Sequence, residues 1–197
     1  MWEGYFLYVV AGRSWERKEL LLCPMATRPK SIPEPKFEAN GDTFSAWQTR
    51  VWDEPAPRPI HVGSYGWNYR LGEPVVVDLL DGRGIGPTEA RARAGATIPV
   101  YLDCIFCAMG PDRWREPPPA YECYVEVGVT AIGYSCINRH EGGVNCLFLD
   151  WSVRKVGLKE LWTLKWNKWF DTRGPWTTAG GATPEDWPEW MRKFKDY

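Results

Sequence analysis

The chain has 197 residues, enough for one domain with a sizeable core, and its 24 basic and 25 acidic side chains leave a formal net charge of −1. That balance removes the electrostatic grounds for a nucleic-acid or anionic-membrane partner. With 13 Trp, 17 Pro and 19 Gly, the composition predicts a loop-rich α+β domain of short strands.

Residues 1–22 carry Trp2, Tyr5, Phe6 and Val9, then Leu20-Leu21-Leu22, with Ser14 placed to cap a short helix over 15–19. The longest apolar stretch here, 5–10, is far below the ~18 residues of a membrane span. No basic n-region or small-residue cleavage site marks a signal peptide. Cys23-Pro24 is expected to end the helix.

Between 28 and 61 six prolines (Pro29, Pro33, Pro35, Pro55, Pro57, Pro59) argue against regular helix and central strand. The span reads as a long surface loop, pinned to the body by Trp47 and Trp52. Residues 74–80 suit a buried strand. The following Asp81-Gly82-Arg83-Gly84-Ile85-Gly86-Pro87 is a loop, because a dinucleotide fingerprint would need a third Gly where Pro87 stands. Ile98, Val100 and Leu102 alternate as in a strand, and Pro99 makes it an edge or gives it a bulge. Residues 108–120 read as a second loop insertion. Period-two alternation of Tyr121, Cys123, Val125, Val127 and Val129 predicts a further strand.

Residues 134–169 hold the clearest local order. Gly142-Gly143 supplies two positive-φ positions, which predicts a β-hairpin pairing 134–140 with 144–150, followed by a strand over 152–156. Beyond Gly157 the period lengthens to about 3.6, so Leu158, Leu161, Trp162, Trp166 and Trp169 are expected on one face of a helix. In the tail, 171–197, Gly180-Gly181 is a break. Thr183-Pro184-Glu185-Asp186 is patterned as an N-cap with Pro at N1. Trp187, Trp190 and Phe194 are expected to clamp this end to the sheet.

Six cysteines form an even set (Cys23, Cys104, Cys107, Cys123, Cys136, Cys146), consistent with disulfides or with buried thiols. The single CxxC, Cys104 to Cys107, lacks the second ligand pair of a structural zinc site. In the predicted hairpin Cys136 and Cys146 point to opposite faces, so they are not expected to pair.

The run RHEGGVNCLFLDWSVRKVGLKELWTLKW resembles the signature of the prepilin-type H-X9-DG proteins, pseudopilin-like relatives of type II secretion and type IV pilin subunits. Nine residues separate His140 from Asp150, and Gly142 and Gly143 fall within the motif. The segments LLCPMATRP, GSYGWN, IPVYLD and GPWTTAGGATPEDWPEWMRKFKDY are similar to the same group. Two positions depart from the pattern. Trp151 stands where Gly is expected after the Asp, and a Trp resists positive φ. The basic leader, processing site and apolar helix of such proteins are also not in this sequence.

The resemblance implies an α+β pilin-like head, its antiparallel sheet flanked by short helices and long Pro-rich loops, forming one domain over 1–197. It implies a structural subunit of a secretion pseudopilus or surface filament. Such a subunit would self-assemble or join other pilin-like subunits at the cell surface or outside the cell, from the periplasmic side of the inner membrane. No cofactor is expected. Calcium is known among related pseudopilins, with no ligands identifiable here. Large aromatics in excess of a core are typical interface anchors, and Trp2, Tyr5, Trp15, Trp47 and Trp52 are the expected assembly residues.

Catalysis is not expected. Across the predicted hairpin His140 and Asp150 would stand roughly 15 Å or more apart, at ~3.3 Å per residue, too far for a base and its orienting acid. Ser and Cys nucleophiles lack a partner, since the other histidine, His61, lies in the Pro-rich stretch. The principal alternative is a secreted carbohydrate-binding module, requiring three or more exposed Trp in a row, and a hydrolase is a weaker third reading.

Overall fold

Alternation of Val144, Cys146 and Phe148 with Asn145 and Leu147 gives one strand a buried and a half-buried face, and the sheet is assembled around it. The computed structural model describes residues 22–30, 38–50, 60–71, 95–111, 116–124, 131–167 and 169–197. Eight strands are found there: β1 (Glu38–Ala39), β2 (Trp47–Arg50), β3 (Ile60–Gly63), β4 (Tyr65–Asn68), β5 (Pro99–Asp103), β6 (Ala108–Met109), β7 (Gly143–Phe148) and β8 (Val153–Gly157). They form an antiparallel sheet β1-β2-β3 and a mixed sheet β6-β4-β5-β7-β8, in which only the β4/β6 pairing is parallel. Helical segments among the described residues are short 3-10 turns. None is long and apolar enough to cross a membrane.

The hairpin joins different strands from those the Gly-Gly pair predicts. β7 pairs with β8, from Gly143 opposite Gly157 to Leu147 opposite Val153. The reversal lies at Asp150-Trp151, where Trp151 N–H donates to Phe148 O at 2.9 Å and Phe148 N–H to Ser152 O at 2.9 Å. Asp150 Oδ1 accepts from the backbone N–H and hydroxyl of Ser152 at 3.0 and 2.6 Å, an Asx turn that needs no glycine pair. The strand over 152–156 is present as β8.

Gly142 does have positive φ, +85°, but its turn leads an irregular stretch into β7. Gly143 is the first residue of β7, and its glycine requirement is steric. A Cβ there would stand 2.5 Å from Val156 O.

The helix expected over 158–169 is a 3-10 segment, Lys159–Thr163, followed by extended backbone at Leu164. Tertiary partners take the groups that would have continued it. Lys165 N–H donates to Thr97 O at 2.9 Å, and Trp166 O accepts from Asn68 Nδ2 at 3.0 Å. Leu158, Leu161, Trp162 and Trp166 are buried, whereas Trp169 is 60% exposed and falls off the predicted face.

The 28–61 loop contains β1, β2 and the start of β3, and Ala108–Met109 of the second loop forms β6. Prolines do not block this, because β1 and β2 fall between them. Of the strand expected over 121–129, residues 121–124 are a turn with Cys123 at φ +62°, and 125–130 lie outside the described residues. The strand over 74–80, the loop over 81–87 and the helix over 15–19 lie outside them too. Pro99 opens β5, with a register shift between Pro99 and Tyr101 against β7, the expected bulge.

The main core joins Leu102, Ile105, Val144, Cys146, Phe148, Leu161, Trp162, Trp166 and Trp187. The tail closes it as expected. Trp187 is buried, Trp190 and Phe194 pack on the cluster, and Asp186 Oδ2 accepts from Thr183 N–H and Oγ1–H at 2.8 and 2.9 Å. Gly181, at φ +91°, makes the expected break.

Candidate functional site

One buried polar centre lies where the two sheets meet. Only Ser64 separates β3 from β4, and it is fully buried. Its Oγ accepts from Cys23 N–H at 2.5 Å, and its carbonyl accepts from Cys104 N–H at 2.9 Å and Arg139 Nη1 at 2.6 Å. The corner thus holds the N-terminal stretch, the end of β5 and the approach to β7.

Asp103, the last residue of β5, is fully buried. Its Oδ1 accepts from Arg139 Nη1 at 3.0 Å, and its Oδ2 from Asn145 N–H at 2.7 Å. Arg139 is itself buried, with Nε donating to Thr43 O at 2.7 Å and Nη2 to Asp42 O at 2.9 Å. A planar guanidinium can bridge several carbonyls and a carboxylate in this way because its donors lie in a fixed fork.

His140 stands beside this pair. Its Nε2 is 3.1 Å from Asp103 Oδ2, 3.3 Å from Cys23 Sγ and 3.1 Å from Asn145 Nδ2. Cys23, Asp103 and His140 each offer a ligand atom, and these atoms all lie within 4.8 Å of one another. Burial pushes the Cys23 thiol up, as does the nearby Asp103 carboxylate, with a backbone hydrogen bond involving Met25 opposing. Burial also raises the Tyr65 phenol, whose hydroxyl bonds to Cys23.

The arrangement is not that of a nucleophile and base. In a catalytic triad the nucleophile and the orienting acid use different ring nitrogens, whereas here Cys23 and Asp103 share Nε2. An activated thiol also requires a lowered pKa. The chemistry suited to three converging lone-pair donors is metal ligation.

The sequence singles out His140 as a motif residue, expects no contact between it and Asp150, and does not identify Asp103 as its neighbour. Asp150 is at the hairpin turn, where Ser152 holds its carboxylate. Cys23, Asp103, Arg139 and Asn145 are missed. Cys23 and His140 are 117 residues apart, a separation at which spacing carries no signal. Of the expected assembly residues, Trp47 is buried with its ring against Gly63, which takes it out of the set of surface anchors. Trp2, Tyr5, Trp15 and Trp52 lie outside the described residues.

All six cysteines are free. Cys104 and Cys107 are buried, and burial pushes the Cys104 thiol up to about 11. Cys136 is packed at the Met191 sulfur, 3.9 Å away.

No family model, curated protein or solved structure matches this chain.

Proposed function

We propose that the chain is the head of a pilin-like filament subunit, a structural component of a secretion pseudopilus or surface filament that carries out no catalysis. The supporting observation is Trp151. It holds φ +68° directly after Asp150, the conformation that the Gly of the H-X9-DG pattern adopts without strain. The motif thus coincides with one structural unit. His140 precedes β7, the strand fills the interval, and Asp150 caps the turn into β8.

The subunit works at the cell surface or on the periplasmic side of the inner membrane, and its partners are copies of itself or other pilin-like subunits. A carbohydrate platform would need a row of three exposed indoles. Among the described tryptophans, the exposed ones are Trp151 and Trp169.

The test uses cells of the source organism. Surface filaments are sheared off and probed with antibody to this chain, and intact cells are treated with an amine crosslinker. Detection along filaments, with a crosslinked ladder spaced by one subunit, is the expected result. A chain confined to the cytoplasmic fraction without a ladder would overturn the proposal.

A further inference from the structure

The centre at Ser64 turns three ligand-type side chains toward one point. An imidazole Nε2 carries either one proton or one in-plane lone pair. Three heteroatoms nevertheless stand around His140 Nε2, namely Cys23 Sγ at 3.3 Å, Asp103 Oδ2 at 3.1 Å and Asn145 Nδ2 at 3.1 Å. Without an ion, Nε2–H can donate to Asp103 while the Cys23 thiol uses the same carboxylate, so a bound ion would replace protons that these groups otherwise share.

A cation suits the same convergence, since sulfur, nitrogen and oxygen can direct lone pairs at it together. With metal–ligand bonds of about 2.3 Å to sulfur and about 2.0–2.1 Å to nitrogen or oxygen, tetrahedral coordination sets ligand atoms about 3.3–3.6 Å apart. The Sγ–Nε2 and Nε2–Oδ2 separations, 3.3 and 3.1 Å, are close to those edges.

We propose that Cys23, Asp103 and His140 bind a zinc-type divalent transition metal. The fourth position falls to Asn145 or to water. A half-turn of the Asn145 carboxamide exchanges Nδ2 for Oδ1, an oxygen ligand in the same place. The donor set of one thiolate, one imidazole and one carboxylate selects zinc or cobalt over calcium and magnesium, which prefer all-oxygen shells. A thiolate and a carboxylate would offset the two charges of a divalent ion and leave the buried Arg139 guanidinium as a net positive charge, while Arg139 and the Asn145 N–H orient the carboxylate from outside as supporting contacts.

The ion would be structural. It would tie the N-terminal stretch at Cys23 to the end of β5 and the approach to β7. Cys23 and Asp103 are fully buried and the His140 side chain is 21% exposed, so the ion would enter past the imidazole.

The experiment uses the full chain, stripped with a chelator and reloaded with Zn(II) or Co(II). The expected result is one ion per chain by elemental analysis. The cobalt form should show a thiolate-to-cobalt charge-transfer band in the near ultraviolet, with the intense visible bands of four-coordinate cobalt. Cys23→Ser should abolish the near-ultraviolet band, and Cys123→Ser should keep it. His140→Ala, at the least buried ligand, should weaken zinc binding at least about tenfold. Should Cys23→Ser fail to fold, mass-spectrometric mapping of alkylation in urea just below the unfolding midpoint of the zinc-free chain, where buried thiols become reachable, decides: zinc should protect Cys23 from iodoacetamide. Substoichiometric metal, cobalt without the thiolate band, or equal alkylation of Cys23 with and without zinc would each overturn the proposal.

Discussion

Arg139 Nη1 and Asp103 Oδ1 are 3.0 Å apart with both side chains fully shielded from solvent, so each is the other's charge compensation. The guanidinium also supports Thr43 O, Ser64 O and Asp42 O. Replacing one partner of such a pair leaves a buried charge alone and costs about 3–5 kcal/mol. Arg139→Met is therefore expected to destabilise the chain by that amount in urea denaturation. A loss below about 1 kcal/mol would show that Asp103 finds another counter-charge.

Trp151 offers the opposite case. Its φ is +68° and the residue is 77% exposed, so it has the strain of a left-handed residue with little burial in return. That conformation costs a non-Gly residue about 1–2 kcal/mol, and glycine's extra backbone entropy cancels about 0.5–1 kcal/mol of the relief. Trp151→Gly is expected to stabilise by up to about 1 kcal/mol and Trp151→Val to destabilise, both read from the denaturation midpoint. A fall in stability with Gly would mean that the indole packs more tightly than its exposure implies.

What could be read from the sequence was local. The Thr183–Asp186 cap, the bulge at Pro99, the strand after Trp151 and the burial of Trp162, Trp166 and Trp187 all follow from patterns within a few residues. The sequence places the hairpin elsewhere because Gly142-Gly143 is the strongest turn signal nearby, while the actual turn rests on Ser152 donating to the Asp150 carboxylate. The helix failed because Asn68 and Thr97, distant in sequence, claim backbone groups of Lys165 and Trp166. Of the buried centre, only His140 carries a sequence signal as a site residue, by its place in a motif. Its partners arrive through sheet topology, which no local spacing encodes.

Glu116 makes stability depend on pH. Burial pushes its carboxyl up to about 8, opposed in part by the Ile132 N–H and by Arg70. Its Oε1 accepts from Ile132 N–H at 2.5 Å. The folded chain therefore holds this proton more tightly than the unfolded chain does. The stabilisation is complete below about pH 4.5, declines as pH rises toward 8 and is lost above it. Glu116→Gln keeps an acceptor for Ile132 and removes the proton. The stability difference between wild type and variant should change across this window, on the order of a few kcal/mol in favour of Gln at the alkaline end. A flat difference between pH 5 and 9 would show that Glu116 is not buried in solution.

Trp162 and Trp169 sit seven residues apart on what the periodicity reads as one helical face, yet they have different surroundings. Trp162 is buried, donates from Nε1 to Glu116 O at 2.7 Å and meets the Trp187 ring edge-on, with centroids 5.2 Å apart. Its removal would open a cavity beneath the C-terminal tail and leave the Glu116 carbonyl without this donor. Trp162→Ala is expected to cost about 3–5 kcal/mol. Trp169 is 60% exposed, and Trp169→Ala is expected to stay within about 0.5 kcal/mol of wild type. At about 2–4 °C per kcal/mol for a chain of this size, thermal melts separate the two variants. Equal losses would restore the single amphipathic face, with both indoles in the core, and would contradict the break at Leu164.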